Sequence, residues 1–225
     1  NNIDQASLQA LNSSVRNTLF FNKRNTSFGA DYTIQSNANK ILLSNGLESR
    51  EVALQRLNVR WNYSKSIVLK VAVTDQTRSS SATNVTGRNF SINAKEVSPE
   101  LSWQPSNKWK LSATGDYSNK VNQAEGAEDT AELLDFGMKG RYSEPGKGSL
   151  EIQANIIDVS YEGVVNSALA FEMLEGLNPG TNYTWTAFIQ QNLNKNIQLS
   201  VIYSGRKSEE NPFIHSGSVQ VRALF

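Results

Sequence analysis

Apolar and polar residues alternate one by one along most of this chain, and that period of two constrains the fold before any other feature is weighed. In "RLNVRWNY", Leu57, Val59, Trp61 and Tyr63 alternate with Arg56, Asn58, Arg60 and Asn62. "SIVLKVAVT" sets Ile67, Leu69, Val71 and Val73 against Val68, Lys70, Ala72 and Thr74. "WKLSATGDY", "LDFGMKGRY", "YTWTAFIQ" and "IQLSVIYS" repeat the scheme, while helical periodicity is nearly absent. Successive side chains of a strand point to opposite faces. About 11 such segments therefore predict strands with one apolar, aromatic face and one polar, often charged face. That pattern suits a sheet packed on a core, as in a soluble extracellular β-sandwich adhesion module. It equally suits a barrel wall between lipid and water.

Two regularities choose between them. The apolar faces end repeatedly in large rings: Trp61, Tyr63, Trp103, Trp109, Tyr142, Tyr161 and Tyr203. Such rings suit an interfacial girdle, with hydrocarbon on one side and water on the other. The connections also sort into two kinds. "NKRNT", "YSKS", "QPSNK", "SEPGKG" and "NLNKN" are tight and polar. "SNGLES", "RSSSATNVTGR", "NKVNQAEGAEDT", "EGVVNS" with its continuation, and "GRKSEENPF" are longer. Short and long alternate, as do the periplasmic turns and outer loops of outer-membrane barrels.

The expected fold is all-β: an antiparallel up-and-down transmembrane β-barrel, with about 11 strands in this chain and belonging to a larger barrel, because bacterial single-chain barrels have even strand numbers. Residues 1–12 read as a lead-in or an upstream strand, and 13–225 as the barrel segment. The first strand is expected near 13–22 and the last near 214–225, placing the C-terminus in the periplasm. Two segments break phase. Phe90, Ile92 and Ala94 give way to Val97, Leu101 and Trp103; Leu150, Ile152, Ala154 and Ile156 give way to Ile157, Val159 and Tyr161. A one-residue bulge would restore the face in each; alternatively, both strands project beyond the bilayer.

Composition narrows the function classes. Only 38% of residues are hydrophobic, yet 9 Phe, 7 Tyr and 4 Trp do not suit disorder. No apolar run approaches the roughly 20 residues of a transmembrane helix. With 22 basic against 21 acidic residues, no nucleic-acid partner is indicated. The absence of cysteine removes disulfides, thiolate catalysis and zinc–thiolate sites.

The ending "VQVRALF" resembles the C-terminal signal of outer-membrane proteins, with Gly217, Val219, Val221, Ala223 and Phe225 in its positions. The resemblance implies recognition by the barrel-assembly machinery. "LLSNGLESR", "FEMLEGLNPGTNYTW" and "GRKSEENPFIHSGSVQVRALF" look like the C-terminal barrel region of large outer-membrane proteins from Bacteroidota. That likeness implies location and architecture, and no named activity.

Catalytic and cofactor chemistry is not expected. His215 is the only histidine, and a general base needs a nucleophile and an orienting partner. Glu209 and Glu210, beside Arg206 and Lys207, read as a solvated loop. Glu125, Glu128, Asp129 and Glu132 lack the spacing of a calcium loop. Arg56, Arg60, Lys70, Lys110, Lys139, Arg141 and Arg222 should face the lumen, interspersed with Asp31, Asp116, Asp135, Glu151 and Asp158. Gln190 joins them. Trp61, Leu69, Leu111, Phe136, Ile152, Trp185, Leu199 and Val221 should face lipid. The expected role is a transport or export channel, or a membrane-embedded subunit of an envelope complex. The second role considered is a scaffold docking lipoproteins or other envelope subunits.

Overall fold

A computed structural model describes residues 10–43, 46–83, 89–124, 129–209 and 211–223. Its strands are β1 (Ala10–Phe21), β2 (Phe28–Leu43), β3 (Gly46–Asn62), β4 (Ile67–Ala82), β5 (Phe90–Trp103) and β6 (Trp109–Asn122). They continue with β7 (Thr130–Glu144), β8 (Gly148–Glu162), β9 (Gly180–Asn192), β10 (Ile197–Ser208) and β11 (Ile214–Ala223). The helix α1 (Ala168–Met173) lies between β8 and β9. β1 begins at Ala10, within the stretch 1–12 read as a lead-in or an upstream strand.

The strands form one antiparallel sheet in sequence order, the up-and-down arrangement of a barrel wall. A β-sandwich would need two sheets facing each other. Among the described residues, β1 pairs only with β2, and β11 only with β10. An odd number of antiparallel strands leaves these two edges running in the same direction.

At one end the connections are 22–27, 63–66, 104–108, 145–147 and 193–196. Side chains close most of them. Asn25 Oδ1 accepts from the N–H groups of Ser27 and Phe28, Ser64 Oγ from those of Ser66 and Ile67, and Ser106 Oγ from those of Lys108 and Trp109. These polar residues supply the turn bonds that a tight reversal lacks. At the other end the links are 44–45, 83–89, 123–129, 163–179 and 209–213. The first departs from the expected alternation: Gly46 to Ser49 of "SNGLES" belong to β3, which pairs with β2 up to Leu43↔Gly46, while Ser44 and Asn45 lie outside the described residues. Backbone pairing holds the ribbon, Lys40 Nζ on β2 lies 3.5 Å from Glu51 Oε1 on β3, and Arg50 Nη2 lies 2.9 Å from Glu48 Oε1 along β3 itself.

Register is unbroken in the two segments that change phase. β5 pairs with β4 from Ile67↔Trp103 to Ser80↔Phe90 without an inserted residue, and β8 pairs with β7 from Thr130↔Glu162 to Glu144↔Gly148. The expected bulges are therefore absent. Ile92 and Val159 instead point to the face that carries charges lower down, where they are 4% and 3% exposed. The reason is α1. It packs Met173 and Leu174 against Ile92, Ala131, Leu133 and Val159, with Ile157, Tyr161 and Leu177 alongside. A six-residue helix reaches residues on β5, β7 and β8 only because the sheet curls around it. That contact defines its concave, inner face.

Candidate functional site

The convex, outer face is divided across its height. From the short-turn end it carries Ile67, Leu69, Val71 and Val73 on β4, Trp103, Leu101 and Val97 on β5, and Tyr142, Met138, Phe136 and Leu134 on β7. Many of these are well exposed, Phe136 by 53%. Then the same face turns polar within one step. Gln55, Asp75, Lys95, Asn119 and Glu132 occupy successive directly paired positions from β3 to β7. They bond sideways: Tyr32 Oη donates to Gln55 Oε1 at 2.7 Å, Asn93 Nδ2 to Asp75 Oδ1 at 3.1 Å, and Asn119 Nδ2 to Glu132 Oε1 at 3.1 Å.

Aromatic rings border the apolar band. At the short-turn edge Trp61 and Tyr63 meet edge to face at 5.8 Å, and Trp109 and Tyr142 lie 4.9 Å apart. Trp103 faces Leu111 and Ile67 there. On β6 the band runs from Trp109 to Tyr117, about 26 Å along a strand, or about 19–22 Å of height at the tilt typical of barrels. That is close to the ≈ 25 Å apolar band of outer-membrane barrels. Tyr161 does not belong to this border. It shares the inner face with Val159, and its hydroxyl donates to Asp129 Oδ1 at 3.1 Å. Asp158, expected among the inner acids, lies outward and accepts from Thr181 Oγ1. Both shifts follow from the missing bulge.

The inner face of the lower half is polar and cross-linked. Arg56 Nε donates to Thr74 Oγ1 at 3.1 Å, and Arg60 Nη2 to the Asn25 carbonyl at 2.9 Å. Lys70 pairs with Glu100 at 3.3 Å and Lys139 with Glu151 at 2.7 Å. Asn58 donates to Asp31 and Asn155 to Asp135. Asp116 and Asp135 are directly paired across β6 and β7, as are Lys110 and Arg141. A cavity of about 540 Å³ opens on this face, between Phe20, Asp31, Arg60, Lys70, Glu100 and Asp116. Gln190 and Arg222 lie on this side of β9 and β11.

Higher up, the same face is closed by the link that holds α1. Ser167 Oγ caps the helix by accepting the Ala170 N–H at 2.9 Å. Glu175 and Gly176 then end it with φ of 56° and 77°. Two ion pairs fix it to the wall: Arg78 to Glu172, and Lys120 Nζ to Glu175 Oε1 at 2.7 Å. Lys120 also donates to the Met173 carbonyl at 2.8 Å, which gives its 7% exposed side chain two acceptors. Neither α1 nor these partners was foreseen; the phase change at Ile92 and Val159, and Ser167 and Gly176 bracketing "ALAFEM", were their signs in the sequence.

A second unforeseen cluster lies on the outer face of β9–β11. His215 stacks between Tyr203 and Phe213 at 5.9 Å each, with Trp185 against both His215 and Phe213. Tyr203 Oη and His215 Nδ1 are 2.8 Å apart. Trp185 also lies flat over Gly205, where a Cβ would meet its ring at 2.2 Å. The alternation Phe213, His215 could have signalled the stack; the cross-strand register that completes it could not be read.

At the short-turn rim, beyond Tyr142, Glu144 accepts from Lys108 Nζ at 3.0 Å and from Tyr142 Oη at 3.1 Å, with Lys147 Nζ at 3.3 Å. The Lys108 bond, then Lys147 and Tyr142, push the Glu144 carboxyl down to about 2. The same bond holds the Lys108 ammonium above its usual range. Gly217, Val219, Val221 and Ala223 line the outer face of β11, whereas Phe225 lies outside the described residues, as do Glu125, Glu128 and Glu210. Of the remaining loop acids, Asp129 is held by Tyr161 and Asn122, and Glu132 by Asn119.

No protein-family model and no curated protein sequence matches the chain. Among solved structures, the siderophore receptor PirA from Acinetobacter baumannii is similar over 96% of this chain, with a TM-score of 0.68 and 9% identity. The chain spans 39% of that receptor's length. The NanC porin aligns over 94% of this chain and 99% of its own, with a TM-score of 0.44 and 12% identity. The receptor likeness establishes the fold of this chain as that of an antiparallel up-and-down β-barrel wall.

Proposed function

We propose that this chain is a wall of a bacterial outer-membrane transport barrel, non-enzymatic, whose outer face meets lipid and whose inner face lines a polar passage. One observation carries this reading: an exposed apolar band, bordered by aromatic rings, on a sheet whose opposite face carries Arg56, Arg60, Lys70, Lys110, Asp116, Asp135, Lys139, Arg141 and Arg222. Water disfavours so broad an apolar surface. Hydrocarbon tolerates it, provided every backbone group is paired internally, which a closed barrel achieves. The two parallel-running edges call for an odd number of further strands, from this protein or a partner, to close antiparallel. The receptor likeness supports transport as the general role. The link carrying α1 narrows the passage from the loop side. In this orientation β11 descends to the periplasm, and its outward Gly217, Val219, Val221 and Ala223 offer themselves to the barrel-assembly machinery.

Reconstitution into planar bilayers tests the reading. Discrete conductance steps, raised when α1 is released by Met173→Lys, are expected. A protein that stays monodisperse without detergent and never enters bilayers overturns it. If it inserts but does not conduct, the alternative of an envelope scaffold docking lipoproteins takes over.

A further inference from the structure

Among the described inner-face basic side chains of β3 to β8, Lys110 and Arg141 are the two without a hydrogen bond or ion pair. The inward Arg16, Arg206 and Arg222, on β1, β10 and β11, also have none among the described residues. They are directly opposed on β6 and β7, where antiparallel partners sit roughly 4.5–5.5 Å apart between Cα atoms. Like charges so placed repel and destabilise a sheet. The comparable pair Arg60↔Lys70 is relieved, because Arg60 bonds turn carbonyls and Lys70 takes Glu100. Here the relief is only shared, because the acids facing the two cations each have another partner. Glu151, opposite Arg141 on β8, is engaged by Lys139 at 2.7 Å. Glu100 lies in the field of Lys110 but is held by Lys70 and by Ser102 Oγ at 2.8 Å. Among the described residues, neither Lys110 nor Arg141 has a hydrogen bond or ion pair.

Both line a cavity of about 240 Å³ on the inner face, whose wall also carries Ser112, Gln153, Lys139 and the carboxylates of Glu100 and Glu151, each already bound to a lysine. We propose that Lys110 and Arg141 form a binding site for a small oxyanion of the phosphate type. The planar guanidinium presents a fork to two oxygens, the ammonium takes a third, and the bound anion removes the repulsion between the strands. The volume admits a small anion. The position, one residue inside Trp109 at the short-turn mouth, makes the site a capture point for anions crossing the passage. This last role rests on the transport reading; the binding itself does not.

The test is titration of the purified protein in detergent with inorganic phosphate at low ionic strength, followed by calorimetry. Saturable binding is expected, with at least a tenfold loss of affinity in Lys110→Gln and in Arg141→Gln, and no change in Arg222→Gln, an inner-face cation outside the site. Lys110→Glu supplies the missing acid to Arg141, so it should keep or raise thermal stability while abolishing phosphate binding. Absence of saturable binding in the parent protein, an equal loss in Arg222→Gln, or retained binding in Lys110→Glu overturns the site. Because no step requires conductance, a non-conducting barrel that binds phosphate would sink the transport reading and leave this one standing.

Discussion

The lower half of the sheet, next to the short turns, and the upper half, next to the longer links, use the same strands with opposite face preferences. Below, Leu69 and Phe136 point outward while Lys70 and Asp135 point inward. Above, Asp75 and Glu132 point outward on those strands, and Leu133 points inward beneath Met173. A single water-soluble core cannot produce this exchange, since it would keep one face apolar throughout. Two different apolar surroundings can: a hydrocarbon layer outside the lower half, and α1 inside the upper half. The row from Gln55 to Glu132 marks where the first surrounding stops.

The largest expected effect breaks the comparison directly. Met138→Arg places a charge at the middle of the outer band and should cost roughly 2–4 kcal/mol of unfolding free energy in bilayers. Ala53→Arg, at an exposed position on the outer face above the polar row, should cost less than about 0.5 kcal/mol, as an ordinary surface change does. Equal costs at the two positions would erase the boundary.

A smaller effect probes the upper core. Met173 is fully buried against the wall, and Met173→Ala should weaken α1 docking by about 2 kcal/mol, a factor of about 30 in the undocked population. Protease cleavage within 163–179 should accelerate accordingly, with the sheet unchanged. An unaltered rate would mean that the link is held elsewhere.

The smallest concerns the rim. Glu144 has its carboxyl depressed from 4.5 to about 2 in the folded protein. A depressed carboxylate stabilises above its unfolded value, so this contribution is full above about pH 5, declines through the intervening range and is gone below about pH 2. The carboxyl should titrate near that low value by NMR, and Lys108→Gln should move it upward. Titration near 4.5 in both proteins would remove the rim interaction.

Much of this was legible because strands write their faces into sequence at a period of two. Leu57 to Tyr63, Ile67 to Val73 and Leu134 to Tyr142 each announce a strand and its two faces without reference to any partner. The errors share one cause. Ile92, Ile157 and Val159 were assigned by hydrophobicity, which reports that a residue is covered but not by what. A helix that begins nine residues after Val159 covers the inner face as effectively as lipid covers the outer. Likewise "SNGLES" has turn composition, yet pairing of its flanks carried β2 and β3 almost through it. The repulsion between Lys110 and Arg141 was invisible until register set them opposite each other.

All four tryptophans, Trp61, Trp103, Trp109 and Trp185, lie on the outer face, so the native protein reports its own orientation. The most direct test is quenching of their fluorescence in liposomes, by brominated lipid chains and separately by aqueous iodide. The account predicts strong quenching by the lipid and weak quenching by iodide. Efficient iodide quenching with none from brominated lipid would put the apolar band in water and contradict it.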